Sequence, residues 1–321
     1  MTSTTRDPGA LPALDELVDA ADQGLHAWVR AHIPEANRRA ALAEELGYRL
    51  GTAAQDLTYA ADFARAAPEI GQPTEAYLDR WLPLGADAHV LAGPRYLGMN
   101  PDLPFVGVAA SDRPLRPGDR DQLTAMAARH FAAFRPGFVM LTTADPVGAW
   151  PDTQAELRQV VGRLAELRRH PAPPELAAVP RTDTGFYDRY RHIHELHVAR
   201  EPDHARHTRC EDEADLQRLA DQGFLFDVRV DGEWAGVLAA EPDARRGVRG
   251  ATVVELLLDD RYRGRGYGRH LSTLLARSLP LTDDDYLMGT IHHANTRSYR
   301  SALGAGRVDV GGEIVIPLAR P

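Results

Sequence analysis

Arg263-Gly264-Arg265-Gly266-Tyr267-Gly268-Arg269-His270 is the stretch whose reading decides the fold. Upstream, Ala251-Thr-Val-Val-Glu-Leu-Leu-Leu258 is apolar and rich in β-branched residues, a pattern that fits a strand. Downstream, Leu271, Leu274, Leu275 and Leu279 recur at helical spacing. The eight residues therefore read as a turn between a strand and a helix. Three glycines let backbone N–H groups converge there, and the helix N-terminus adds a partial positive charge. Arg261, Arg263, Arg265 and Arg269 crowd the same turn. Such a package suits a diphosphate.

Two common phosphate loops do not fit. There is no Gly-Lys-Ser/Thr, and Gly264-x-Gly266-x-Gly268 lacks the Gly-x-Gly-x-x-Gly order of a dinucleotide fold. With Arg263, Gly266 and Gly268 at its fixed positions, the turn resembles the Arg/Gln-x-x-Gly-x-Gly/Ala signature of the GNAT superfamily of acyl-CoA-dependent N-acyltransferases. The flanking pattern extends the resemblance over roughly residues 183–318. Gly223–Val230 alternates, Asp231-Gly232 gives a two-residue turn, and Trp234–Ala240 returns. Tyr286–His292 reads as a further strand, Asn295-Thr-Arg-Ser298 opens a short helix, and Arg307–Pro317 reads as a closing hairpin. The family's later motif is met at Asn295 and Ser298. It is departed from where its tyrosine falls near Ala302 and where Gly306-Arg307 replaces the common Gly-Phe.

The resemblance implies an α/β fold of the α+β type, with a mixed twisted sheet and flanking helices over residues 183–321. Residues 1–170 read as a helical and α/β lobe, and the proline-rich 171–182 as a linker. In the N-terminal lobe, Leu14, Leu17, Val18, Ala21, Leu25, Trp28 and Val29 form a helical stripe, and a second helical region runs from about Ala36 to Ala66. Thr74 is placed to cap a third helix through Leu82. His89–Ala92, Pro104–Ala110 and Phe138–Thr143 read as strands, with Asp121–Phe134 and Thr153–His170 as helices. Laid on the C-terminal half without gaps, Val106 falls on Val254, Asp112 on Asp260, Arg113 on Arg261 and Gly118 on Gly266. Leu115, Arg116 and Arg120 stand where Arg263, Gly264 and Gly268 do, bulky enough to close an amide cradle. Two readings stay open: a degenerate GNAT-like lobe, or an unrelated α/β lobe.

Composition sets the surroundings. The 321 residues are 44% hydrophobic, enough for two cores, and no apolar run approaches a membrane span. A net charge of −9 argues against nucleic-acid binding, which makes the arginine cluster a local exception. One cysteine, Cys210, forbids an intrachain disulfide and suits a reducing, cytoplasmic setting. All 37 basic residues other than histidine are arginine. A GC-rich codon bias accounts for that, as does the protection a lysine-free enzyme has against acylating itself.

Acyl transfer from a thioester to an amine needs an acceptor for the amine proton and a donor for the oxyanion. The resemblance implies acetyl-CoA as cosubstrate and no acyl-enzyme. Its pantetheine arm would lie along Leu256, Leu257 and Leu258, its phosphates over Arg263, Gly264, Arg265, Gly266, Tyr267, Gly268 and Arg269, with Asn295 and Ser298 nearby. Glu255, a carboxylate in an apolar strand, is one candidate base, because burial pushes carboxyl groups toward neutrality. His292 and His293 at the end of the next strand are others, as is a water chain. Tyr299 is the nearest hydroxyl for a general acid. Phe186-Tyr-Asp-Arg-Tyr-Arg-His192-Ile-His194-Glu-Leu-His197 reads as an amphipathic helix with Tyr190, Ile193 and His197 inward. The implied fold sets Tyr187, Tyr190, His194 and His197 beside the acceptor. His194 and His197, with His204 and His207 further on, admit a metal reading, but His-Glu-x-His is not the zinc-protease spacing, and no metal is expected. The expected acceptor is a small-molecule or peptide amine, with no nucleic-acid or membrane partner, in a monomer or homodimer. An acyl-CoA-binding protein without turnover is the alternative.

Overall fold

A computed structural model describes residues 10–200 and 210–319; His204 and His207 lie outside them. The chain divides into two compact units. Unit 1 is Met1–Glu156 with Ala244–Val248 and Gly311–Pro321, and unit 2 is Leu157–Asp243 with Arg249–Val310.

Unit 1 opens with helices α1 (Leu14–Gln23), α2 (Ala27–His32), α3 (Glu35–Thr52) and α4 (Leu57–Ala66). Strands β1 (Arg80–Leu84) and β2 (Ala88–Tyr96) pair antiparallel, as do β2 and β3 (Pro104–Ser111). After α5 (Arg120–Phe131), β4 (Phe138–Thr143) runs parallel to β3. Successive side chains of a strand point to opposite faces, and β2 is apolar on both. Leu91 packs with Leu17, Val18 and Leu42 of α1 and α3, while Val90 and Ala92 pack with Phe63, Leu123 and Phe131 of α4 and α5.

Unit 2 contains β5 (Gln154–Arg163) from Leu157 on, then α6 (Leu164–Arg169), β6 (Leu176–Pro180), α7 (Tyr187–Arg200) and α8 (Glu213–Asp221). There follow β7 (Leu225–Val230), β8 (Glu233–Arg245), β9 (Val248–Leu258), α9 (Leu271–Ser278), β10 (Tyr286–His292) and α10 (Thr296–Gly304). Its strands lie in the order β5-β10-β9-β8-β7-β6. The expected Asp231-Gly232 turn joins β7 to β8, both residues at positive φ. Leu216, Leu219, Tyr190, Leu238, Leu275 and Leu287 share its core.

Three segments differ from their sequence reading. Thr153–His170 is a strand followed by one short helix, because Leu157 to Arg163 pair residue for residue with His292 to Tyr286 of β10. That pairing outweighs the helix preference of Glu, Leu, Arg and Gln. Thr74–Tyr77 is a 3₁₀ turn, and Arg80 to Leu84 pair with β2 instead of continuing a helix. Leu176–Pro180, inside the expected linker, is an edge strand on β7, where prolines are tolerated.

The two units repeat one topology. A hairpin, a third neighbouring strand, a crossing helix and a fourth strand parallel to the third give β1-β2-β3-β4 in one and β7-β8-β9-β10 in the other. The strand that flanks the fourth is exchanged. β5 follows β4 in the chain but pairs with β10, whereas β11 (Val308–Pro317) follows β10 but pairs with β4 through Gly312 to Pro317. The expected closing hairpin is therefore one strand. Gly311 permits a close approach: at φ +108, a Cβ there would sit 2.2 Å from the Thr143 carbonyl oxygen.

Candidate active site

Glu255 sits on β9 and meets two side chains of α7. The Tyr190 hydroxyl donates to its Oε2 at 2.9 Å, and His194 Nε2 lies 2.9 Å from the same oxygen. Since that oxygen accepts, we assign the hydrogen to Nε2. Oε1 accepts from the Leu256 backbone N–H at 2.9 Å. The Tyr190 oxygen in turn accepts from Glu211 N at 3.0 Å, so the phenol is fixed in direction. Burial, then the charge of Glu255, raises the Tyr190 pKa far above the usual phenol range, and it stays a donor. The Glu255 side chain is 13% exposed against 6% for His194, leaving the carboxylate reachable. Inward residues of α7 are Tyr190, Ile193 and His194; His194, not His197, takes the buried place. Tyr187 donates to the Glu211 carbonyl. Cys210 is half-buried with its thiol pKa raised by burial, which makes it a poor nucleophile.

β9 runs beside β10 for only three pairs: Gly250 with Tyr286, Ala251 with Leu287 and Thr252 with Met288. From Val253 onward no ladder pair joins them, although Val253 still lies beside Gly289. On the other side, β8 comes close enough that a Cβ at Gly236 would lie 2.0 Å from the Leu257 carbonyl oxygen. Leu257 and Leu258 are buried, Leu256 half-buried. The Leu258 carbonyl accepts from Arg263 Nε at 2.8 Å, and the Leu256 amide is held by Glu255, so these two backbone groups already have protein partners.

After β9, Asp259 accepts from Arg261 N and pairs with Arg189 of α7 at 2.6 Å. Burial works to raise its pKa, but the Arg261 N–H and the Arg189 guanidinium outweigh it and hold it below the ordinary value. Gly264 and Gly266 adopt positive φ, +76° and +85°, the left-handed region that glycine reaches freely. Gly268 does not; it lies within a 3₁₀ turn, Tyr267–His270, leading into α9. No side chain caps that turn at Gly266 or α9 at His270. Arg263 pairs with Asp260 at 3.3 Å, whereas Arg265 lies over the Tyr262 ring; among the described residues, Arg265 and Arg269 have no carboxylate partner. Tyr267 donates to Glu175 at 3.2 Å.

The counterpart in unit 1 is closed by its own carboxylate. Asp119 accepts from Arg113 through both oxygens at 2.8 Å and from Arg116 N at 2.8 Å, so these donors already have a carboxylate partner. The Arg113 hydrogen bond leads in lowering its pKa. Leu115 packs against the core.

The other candidates have partners of their own. Tyr299 donates to Asp309 Oδ2 at 2.7 Å, and Asp309 is gripped by Arg158 through two bonds of 3.0 and 2.8 Å. Burial, then Asp309, pushes the Tyr299 pKa up to about 12. Asn295 caps α10 by accepting from Ser298 N at 3.1 Å. His292 is buried at the end of β10 and its Nδ1 accepts from Ala294 N at 3.3 Å. His293, 4.6 Å from it ring to ring, is exposed.

Residues 186–302, within unit 2, match the acetyltransferase (GNAT) family. Solved structures similar to the chain include a Drosophila protein, 13% identical, with a TM-score of 0.43 over 98% of this chain and 99% of that one. A GCN5-related N-acetyltransferase from Kribbella flavida is 14% identical, with a TM-score of 0.43 over 82% and 94%. A tandem GNAT protein from the clavulanic acid biosynthesis pathway is 12% identical, with a TM-score of 0.42 over 98% of each. No curated protein matches the chain. Among the described residues, no helix is long and apolar enough to cross a membrane.

Proposed function

We propose that unit 2 transfers an acyl group, in the first instance acetyl, from a coenzyme A thioester directly to the amine of a small molecule or peptide. One observation carries this reading: the Glu255 carboxylate, aimed by Tyr190 and His194, lies on the strand that feeds an uncapped glycine-rich turn. The N–H groups of a turn with no side-chain cap, with Arg265 and Arg269, which have no carboxylate partner among the described residues, suit the donor's phosphates. Beyond Thr252, β9 has no ladder pair with β10, and its remaining extended backbone is the edge we assign to the pantetheine arm. The amine nitrogen attacks the thioester carbon, a C–N bond forms as the C–S bond breaks, and the amine proton passes to Glu255. Tyr190 and His194 are positioning residues that hold the carboxylate in line. Unit 1 is a second copy of the same plan whose phosphate turn Asp119 has closed, so one donor site is expected per chain.

The test is incubation with acetyl-CoA and an amine panel, reading free thiol. Glu255→Gln is expected to lower turnover by about 10²–10⁴-fold while calorimetric acetyl-CoA affinity holds. Wild-type turnover in that variant would return the role to His292 or to water. A second reading, donor binding without transfer, is favoured by Tyr299, whose hydroxyl is committed to Asp309 and is not offered to a leaving thiolate. Heat of binding with no thiol release across the panel would select it.

A further inference from the structure

Among the described residues, Arg307 has no carboxylate partner. It is 4% exposed, and among the described residues its Nε and Nη1 have no hydrogen-bond partner. Complete burial lowers its pKa to about 10, with no carboxylate contributing. The chain makes room for it. A Cβ on Gly162 of β5 would lie 3.0 Å from its Cγ, and one on Gly289 of β10 would lie 2.8 Å from its Nη1. That second contact fixes its place. Gly289 is the residue after the last ladder pair, and its Cβ position faces Val253 of β9 at 3.6 Å. The guanidinium therefore lies where the ladder between β9 and β10 ends.

A buried guanidinium left unpaired is costly, and the planar fork of arginine matches a carboxylate. We propose that Arg307 recognises a carboxylate carried by a substrate where the ladder between β9 and β10 ends. This rests on the reading of unit 2 as a coenzyme A-dependent transferase. A donor anchored at the turn after Leu258 and lying along β9 back to Val253 spans roughly 17 Å of strand. Its acyl end then approaches Arg307. The carboxylate belongs either to a dicarboxylic acyl group or to the acceptor amine.

Two arms separate the sources, both on the full chain. Acetyl-CoA is compared with succinyl-CoA by calorimetry and turnover, and an amino acid acceptor is compared with its amide. The carboxylated member of one pair is expected to be preferred in kcat/KM by about 30-fold or more, and Arg307→Met is expected to bring that ratio close to one. Should Arg307→Met not fold, Arg307→Gln is read in the same way. No carboxylate preference in either arm, with acetyl-CoA bound, overturns the inference alone, as does a preference that survives the substitution. Failure of every coenzyme A ester to bind overturns the reading of unit 2 and this inference with it.

Discussion

Single residues carry the chemistry proposed for this chain, and Arg307 and Glu255 show two ways of burying a charge. Glu255 is surrounded by three donors, while among the described residues Nε and Nη1 of Arg307 have no acceptor. Because the Arg307 pKa falls from 12.5 to about 10, its protonated form opposes folding below about pH 10, and that cost fades between the two values as pH rises. Arg307→Met is thus expected to raise the unfolding free energy at neutral pH, by about 1–4 kcal/mol; urea titration checks it, and a lowered midpoint would refute it. Glu255 was legible in the sequence as a lone carboxylate in an apolar strand. Its partners were not paired with it, since Tyr190 and His194 lie 65 and 61 residues away and only the packing of α7 on β9 joins them. Arg307 registered as a departure from a family pattern, with nothing local to show that glycines on two strands would enclose it.

Among the elements, the turn between β9 and α9 was the most readable, because backbone conformation at Gly264 and Gly266 is a local property. Gly266→Glu, at positive φ, is expected to abolish measurable acetyl-CoA binding by calorimetry while the far-ultraviolet circular dichroism stays unchanged. Unaltered affinity would remove the phosphates from this turn. The turn is tied to α7 by Asp259, so losing the carboxylate loosens both. Asp259→Ala is expected to cost about 1 kcal/mol, the usual worth of a capping side chain. The folded Asp259 carboxyl titrates below its unfolded value of about 4, so its contribution is complete above that pH and is lost as pH falls through the folded pKa. The difference in stability between wild type and variant should therefore shrink on acidification; a constant difference from pH 7 to pH 3 would contradict it. Strand β5 was misread for the opposite reason. Its residues favour a helix locally, and only seven cross-strand pairs with β10 make it a strand.

At the scale of the whole molecule, the gap-free alignment between the halves anticipated a shared plan, and the repeated strand order supplies it. What the alignment could not convey is the exchange of flanking strands, because pairing of β4 with Gly312 to Pro317 leaves no mark in either segment alone. The expected boundary near 171–182 would make residues 180–321 a natural fragment. That piece lacks β5 and β6, exposing the edges of β10 and β7, and it is expected to aggregate, as unpaired edges do. A soluble, cooperatively melting fragment by calorimetry would defeat this expectation.

The exchanged strands also impose a timetable on biosynthesis. As the chain leaves the ribosome, β1 to β4 emerge first, yet the partner of β4 is made only after all of α6 to α10. Throughout that interval Phe138 to Thr143 present an unpaired, largely apolar edge. A nascent sheet held open in this way depends on elongation speed and on chaperones that bind exposed strands. Its completion waits for long-range pairing, the slowest kind of contact to form.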